Sequence, residues 1–262
     1  MQLQEINQII EHIFNIDLST LIEALKRSPN AQGYLIGAIS EFLLMKNLEN
    51  KGYALKRITE KWHGPKLLRH HGDFYIRKKE SDRWYVLESK GLKSNTEKWL
   101  KLNTQSGLKR FLQKWNKNAN LWNSDKEVDE WCENNFENEL ENLKVKILMT
   151  HFVSGKSKQR KINTSRNDEF DYVAVDVFLR TGKHEFIFAN PKDLPPSESN
   201  SNHLQQNYVI DVLVHGKKEN VSISSPWHRE LDEIWDENKE PIKEKDMQVD
   251  ERELRSWREI LR

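Results

Sequence analysis

The stretch HGDFYIRKKESDRWYVLESK, residues 71–90, decides how this chain is read. Residues 73–77 and 83–89 are rich in aromatic and β-branched side chains, and five polar residues, 78–82, separate them: the pattern of a β-hairpin. Residues two apart in an extended chain project from one face, so Glu88 and Lys90 point the same way. Asp73 opens the partner strand, and the short turn lets it come level with Glu88. Two carboxylates held close repel one another unless a cation neutralises them. A hard, oxygen-seeking ion such as Mg²⁺, with Mn²⁺ as a substitute, suits that pair, and the Ser89 carbonyl offers a further oxygen. Lys90 would stand beside an attacking water and stabilise developing negative charge. Asp73, Glu88 and Lys90 thus predict in-line hydrolysis of a phosphodiester, with the cation making the water nucleophilic. The competing reading makes Asp73 a strand-start residue and Glu88 and Lys90 an exposed edge pair. Against it, Glu88 follows Tyr85-Val86-Leu87, an apolar run typical of a buried strand.

Upstream, residues 53–59 read as a strand and 32–50 as a long helix with Leu35, Ile36, Ile39, Leu43 and Leu48 on its buried side. A shorter helix begins near Ser19 or Thr20, where Thr20 and Glu23 form a capping box, and stops by Pro29. Residues 3–14 carry Leu3, Ile6, Ile9, Ile10 and Ile13 at helical spacing. They carry acids early, so they read as a helix and not as a signal peptide. Downstream, 95–115 is predicted helical, with Leu100, Gln105, Leu108 and Leu112 inward. The acidic stretch 124–141 is expected to hold another helix, with Trp131 and Phe136. The apolar run 145–152 is expected to be a central strand covered on both faces. Residues 172–179 and 184–189 predict a second hairpin, 208–214 another strand, and 229–262 two helices parted near Pro241. No repeat or linker interrupts residues 1–262, so one domain is expected.

Gly72-Asp73 followed by Glu88-Ser89-Lys90, with Glu41 on the preceding long helix, resembles the PD-(D/E)XK nuclease superfamily and, within it, the type II restriction endonucleases. His71-Gly72 stands where the superfamily usually has a proline. The resemblance covers roughly residues 32–152. It implies a mixed α/β fold: a restriction-endonuclease-like αβββαβ core whose central mixed sheet is flanked by helices. Glu41 would act on the metal through water, and residues 153–262 would extend the sheet and support recognition or dimer contacts. The implied activity is Mg²⁺-dependent, sequence-specific cleavage of double-stranded DNA by a homodimer, with two-fold symmetry matching a palindromic site. The alternatives are a repair, recombination or nicking nuclease of the same fold, and a DNA-binding module that does not cleave.

Composition agrees with a polyanion-binding soluble protein. Hydrophobic residues make up 36% and charged ones 32%, and no window is apolar enough to span a membrane. A single cysteine, Cys132, leaves no internal disulfide and no four-cysteine zinc site, and a reducing bacterial or archaeal cytoplasm is the simplest setting. The net charge of +1 hides an asymmetry. Residues 51–118 hold 18 Lys/Arg against 6 Asp/Glu, while 124–141 hold 8 acids against 1 Lys. Trp62, Trp84, Trp99 and Trp115 are interleaved with the basic residues, as in nucleic-acid surfaces, though such tryptophans are more often core residues behind a solvated face. Lys98, Lys109 and Arg110 on the predicted 95–115 helix, and Lys156, Lys158, Arg160 and Lys161 in a loop, are candidates for backbone phosphate contacts. Gln205 and Gln206, following Asn200, Asn202 and His203, have the chemistry for reading adenine. His70 and His71 could touch phosphate, though a His-His pair in a polar loop is more often just loop.

Overall fold

The structure, a computed structural model, describes residues 3–59, 72–92, 99–102, 106–107, 109–110, 112–113, 124–135, 143–149, 165–197, 200–205, 208–214, 223, 225–242 and 247–250. Three helices open the chain: α1 (Leu3–Phe14), α2 (Leu18–Arg27) and α3 (Pro29–Asn50). The cap of α2 is Asp17, whose carboxylate accepts the Thr20 N–H at 2.7 Å, so the Thr20–Glu23 capping box is not used. Ser28 caps α3 and Pro29 takes its first turn, where a missing N–H costs nothing.

A five-stranded mixed sheet follows: β1 (Tyr53–Arg57), β2 (Phe74–Lys78), β3 (Tyr85–Gly91), and later β6 (Tyr172–Asp176) and β7 (Phe186–Ala189), in the order β1-β2-β3-β6-β7. β1, β2 and β3 are successive antiparallel neighbours, β3 and β6 are parallel, and β7 returns antiparallel to β6. The two-residue period of the sequence divides the side chains between two cores. Phe74, Ile76, Tyr85, Leu87, Tyr172, Ala174, Phe186 and Phe188 pack with Leu44 and Leu48 of α3. Tyr75, Val86, Val173, Val175, Ile187 and Ala189 face the other way, against Leu204, Tyr208 and Trp227 among others. The sheet is therefore covered on both faces. Asp171, fully buried just before β6, accepts the Val86 N–H at 2.9 Å and lies 3.7 Å from the Lys239 ammonium, which ties the tail to the β3–β6 pair.

Three expectations give way here. The run 145–152 does supply a central strand, but not in the sheet that holds β3. Its strand, β5 (Leu143–Met149), lies in a separate three-stranded sheet, between β4 (Trp99–Leu102) and β10 (Val209–Val214). The parallel neighbour of β3 comes from Tyr172–Asp176, beyond the expected 32–152 core. The helix predicted over 95–115 begins instead as strand β4, because pairing with β5 supplies backbone hydrogen bonds that outweigh a weak local helical preference. The tail carries a 3₁₀ turn, Leu231–Glu233, and an isolated bridge from Ile58 to Val249, and residues 251–262 lie outside those described. Helix Asp125–Asn135 is present with Trp131, Phe136 lying outside the described residues. The second hairpin, β6 and β7, turns through a short helix, Phe178–Thr181, and a small antiparallel pair forms from β8 (Pro196–Ser197) and β9 (Asn200–Leu204). No helix among the described residues is long and apolar enough to cross a membrane.

Gly72 passes so close to β3 that a Cβ there would lie 2.3 Å from Val86 Cγ1 and 3.0 Å from the Leu87 carbonyl oxygen. Gly72→Ala should therefore cost about 1–3 kcal/mol in urea unfolding, as overpacking does. Combined with Val86→Ala, which removes the obstructing methyls, the total loss should fall below the sum of the two single losses. Simple additivity would contradict this packing.

Candidate functional site

The register of the hairpin places the key residues. Phe74 pairs with Leu87, so one step further Asp73 stands opposite Glu88. On the other side of β3, Glu88 and Lys90 are level with Val173 and Val175 of β6. Alternation puts Glu88 and Lys90 on the face of Val86, and Val86, Val173 and Val175 strip water from that neighbourhood. Glu88 is 4% exposed. Its Oε1 is ion-paired with Lys90 Nζ, and its Oε2 is buried with no hydrogen-bond partner among the described residues. Asp73 Oδ2 accepts the Ser89 N–H at 2.7 Å, and the Asp73 N–H donates to the Leu87 carbonyl at 3.0 Å. Ser89, predicted through its carbonyl, thus engages Asp73 through its N–H.

Electrostatics follow from this burial. Desolvation, then the nearby Asp73 charge, pushes the Glu88 carboxyl up to about 8, although Lys90 pulls the other way. Burial also raises Asp73, against the opposing pull of Lys90 and the Ser89 N–H. Burial alone would lower Lys90, but Glu88, Asp73 and Glu41 together hold it above the ordinary lysine value. Two carboxylates that resist ionising, one with an unsatisfied buried oxygen, are a cradle that a cation would relieve. The donor set fits a hard divalent ion that keeps several waters. No group of three or more His, Cys, Asp or Glu side chains placed to hold a metal ion occurs among the described residues, so the cradle rests on two carboxylates.

Glu41 stands on α3. Its carboxylate is ion-paired with Arg57 of β1, and it acts on Lys90 through charge. With Ser40, Ser89, Lys90 and Gly91 it lines a cleft of roughly 530 Å³ at the carboxyl ends of β3 and β6. Asp176, at the end of β6, reaches the same cleft and was not anticipated from the sequence. It is buried, accepts the Phe178 N–H at 2.9 Å and meets His184 Nδ1 at 2.6 Å. An acid closing the apolar strand YVAVD, with a histidine eight residues on, just before the returning strand, was the available signal.

Among the described DNA-contact candidates, Lys109, Arg110 and Gln205 are not lining residues of this cleft. Lys109 is ion-paired with Asp129 of helix Asp125–Asn135, so part of the acidic stretch neutralises part of the basic one. Arg110 is exposed and donates to the Ser106 carbonyl at 3.4 Å. The Gln205 amide donates to the Pro196 carbonyl at 3.4 Å. Lys98, Lys156, Lys158, Arg160, Lys161, Gln206, His70 and His71 lie outside the described residues. Trp84 is partly buried against the sheet core, with Lys56 and Arg77 at 4.8 and 5.0 Å from its ring. Cys132 is buried, and burial raises its thiol to about 11, the behaviour of a packing residue.

The electrostatics of Glu88 fix a pH dependence. A folded-state value near 8, against the ordinary 4.5, means that the folded chain keeps a proton which the unfolded chain has released. Without divalent cation, stability should therefore fall as pH rises from about 4.5 through about 8. Glu88→Gln, whose amide cannot ionise, should gain in melting temperature relative to the parent chain between pH 5 and pH 8.5. A difference between the two that stays constant across that range in EDTA would refute the shift.

Comparison with protein-family models, with curated proteins and with solved structures finds no match to this chain.

Proposed function

We propose that the chain is a divalent-metal-dependent endonuclease of the PD-(D/E)XK kind, cleaving phosphodiester bonds of double-stranded DNA at a specific site in the manner of type II restriction enzymes. One observation carries the proposal: Asp73, Glu88 and Lys90 meet at the junction of β2, β3 and β6, with a buried Glu88 oxygen left unpartnered. The order α3-β1-β2-β3, then a crossover to the parallel strand β6, supports it as well, with β6 taking the place first given to residues 145–152. Gly72 replaces the usual proline where any side chain would collide with Val86.

Asp73 and Glu88 would hold Mg²⁺ or Mn²⁺, which supplies positive charge against the phosphate and lowers the pKa of water. Lys90 turns from Glu88 toward the nucleophile and the scissile phosphate, donating hydrogen bonds as negative charge builds there. The Ser89 N–H fixes the Asp73 carboxylate, so that only one of its oxygens need reorient. Arg57 holds Glu41 at the rim, where Glu41 helps keep Lys90 protonated. Double-strand cleavage with one site per chain is served by a homodimer. Exposed Phe14, Tyr34, Leu35 and Phe42 on α1 and α3 provide apolar surface of the kind that subunit contacts use.

Incubation of mixed plasmid and phage DNA with Mg²⁺, beside an EDTA control, tests the reading. Discrete fragments with uniform ends are expected only with the metal. Lys90→Ala should lower the cleavage rate at least about a hundredfold while changing DNA affinity in EDTA by less than about threefold, since Lys90 acts mainly on the charge of the transition state. Cleavage by Lys90→Ala at the parental rate would rule out the assigned role. Cutting of branched or damaged DNA without sequence preference would favour a repair nuclease on the same site.

A further inference from the structure

We propose that the cleft at the carboxyl ends of β3 and β6 holds one unstacked nucleobase of the strand being cut, adjacent to the scissile phosphate. This rests on the nuclease reading above, and adds to it that the nucleotide beside the cut is taken out of the stack.

The cleft and the carboxylate site meet at Lys90, which ion-pairs with Glu88 and also lines the cleft. Crevices at the carboxyl ends of parallel strands are where open α/β sheets bind ligands, and β3 and β6 are the parallel pair here. At roughly 530 Å³ the cleft falls within the ordinary range for small-molecule sites, about 300–1,000 Å³. Its width comes from α3. Gly33 and Gly37, one helical turn apart, line it, and a Cβ at either would meet open space. Leu92, Phe178 and Leu179 supply apolar lining beside Lys90 and Asp176.

Phe178 is a prepared surface. Its backbone N–H is fixed by the buried Asp176 carboxylate, and its ring lies flat on His184, with centroids 4.2 Å apart and planes 5° apart. The other Asp176 oxygen holds that same histidine at 2.6 Å. A buried charge spent on orienting one aromatic ring suits a stacking platform for a second flat ring. Ser40, which lines the cleft, is 5% exposed and its Oγ has no hydrogen-bond partner among the described residues, leaving one polar group for a base edge. Bases within an intact duplex are stacked and out of reach, so a base enters here only from an unpaired strand or after its nucleotide rotates outward.

Gly37→Leu fills the cleft from α3 while leaving Asp73, Glu88 and Lys90 themselves unchanged, and leucine favours the helix more than glycine does. The first measurement needs no cleavage: calorimetric binding of thymidine 5′-monophosphate and of deoxyribose 5-phosphate with Mg²⁺ present. The nucleotide should bind at least about tenfold more tightly than the sugar phosphate. Gly37→Leu should erase that advantage and leave sugar-phosphate binding unchanged, with Gly37→Ala intermediate and equal melting temperatures as the folding control. Equal affinity for the two ligands, or an advantage that survives in Gly37→Leu, overturns the proposal. In cleavage, Gly37→Leu should lower kcat/KM on unmodified DNA about tenfold or more. It should match the parent on a substrate made abasic at the nucleotide beside the mapped cut. If the parent cuts no DNA, the nuclease reading fails, and the nucleotide-binding result still decides the cleft by itself.

Discussion

A carboxylate buried inside a sheet is expensive, because the interior gives back little of the hydration it removes. Glu88 is held there by neighbours on both sides: Asp73 opposite it on the β2 side, Val173 level with it on β6, and Lys90 two residues along the same face. One of its oxygens is ion-paired and the other has no hydrogen-bond partner among the described residues. The rest of the site is arranged around this buried carboxyl group, which resists ionising. The Ser89 N–H that anchors Asp73 belongs to the residue between Glu88 and Lys90, so the spacing Glu-x-Lys delivers an acid, a base and a backbone donor at one sheet position.

The surrounding fold makes such a position affordable. Covering both faces of the five-stranded sheet concentrates apolar burial at β2, β3, β6 and β7, the strands that flank the site. Asp171 and Lys239 add a second buried charge pair just outside β6, but theirs is well supplied with backbone partners, including the Val86 and Ile242 N–H groups. The contrast is informative. A structural ion pair in this chain has its lone pairs answered, whereas Glu88 keeps an oxygen in reserve, as sites that await a ligand do.

Much of this was readable in the linear chain. The hairpin over residues 73–90 follows from two alternating runs and a short polar turn. The shared face of Glu88 and Lys90 follows from the pleat, and α1 to α3 follow from apolar periodicity and helix-stop residues. The cap of α2 was misplaced by three residues because Asp17 and Thr20 are both competent caps, and only backbone geometry separates them. The strand Trp99–Leu102 was hidden inside a helical pattern, since four residues of strand contribute less to periodicity than the leucines that follow.

By itself the sequence determined the local constellation: which residues are extended, which lie on one face, and hence that an acid, a lysine and a second acid come within reach. The tertiary structure alone decided which distant strand lies beside β3. The runs VKILM and YVAVD are both short, apolar and fit for a buried strand, and a parallel pairing across about eighty residues leaves no mark in local periodicity. Choosing YVAVD brought Asp176, Phe178 and His184 to the edge of the site and buried Glu88 against Val173. Those contacts depend on long-range packing, which no short window of sequence contains.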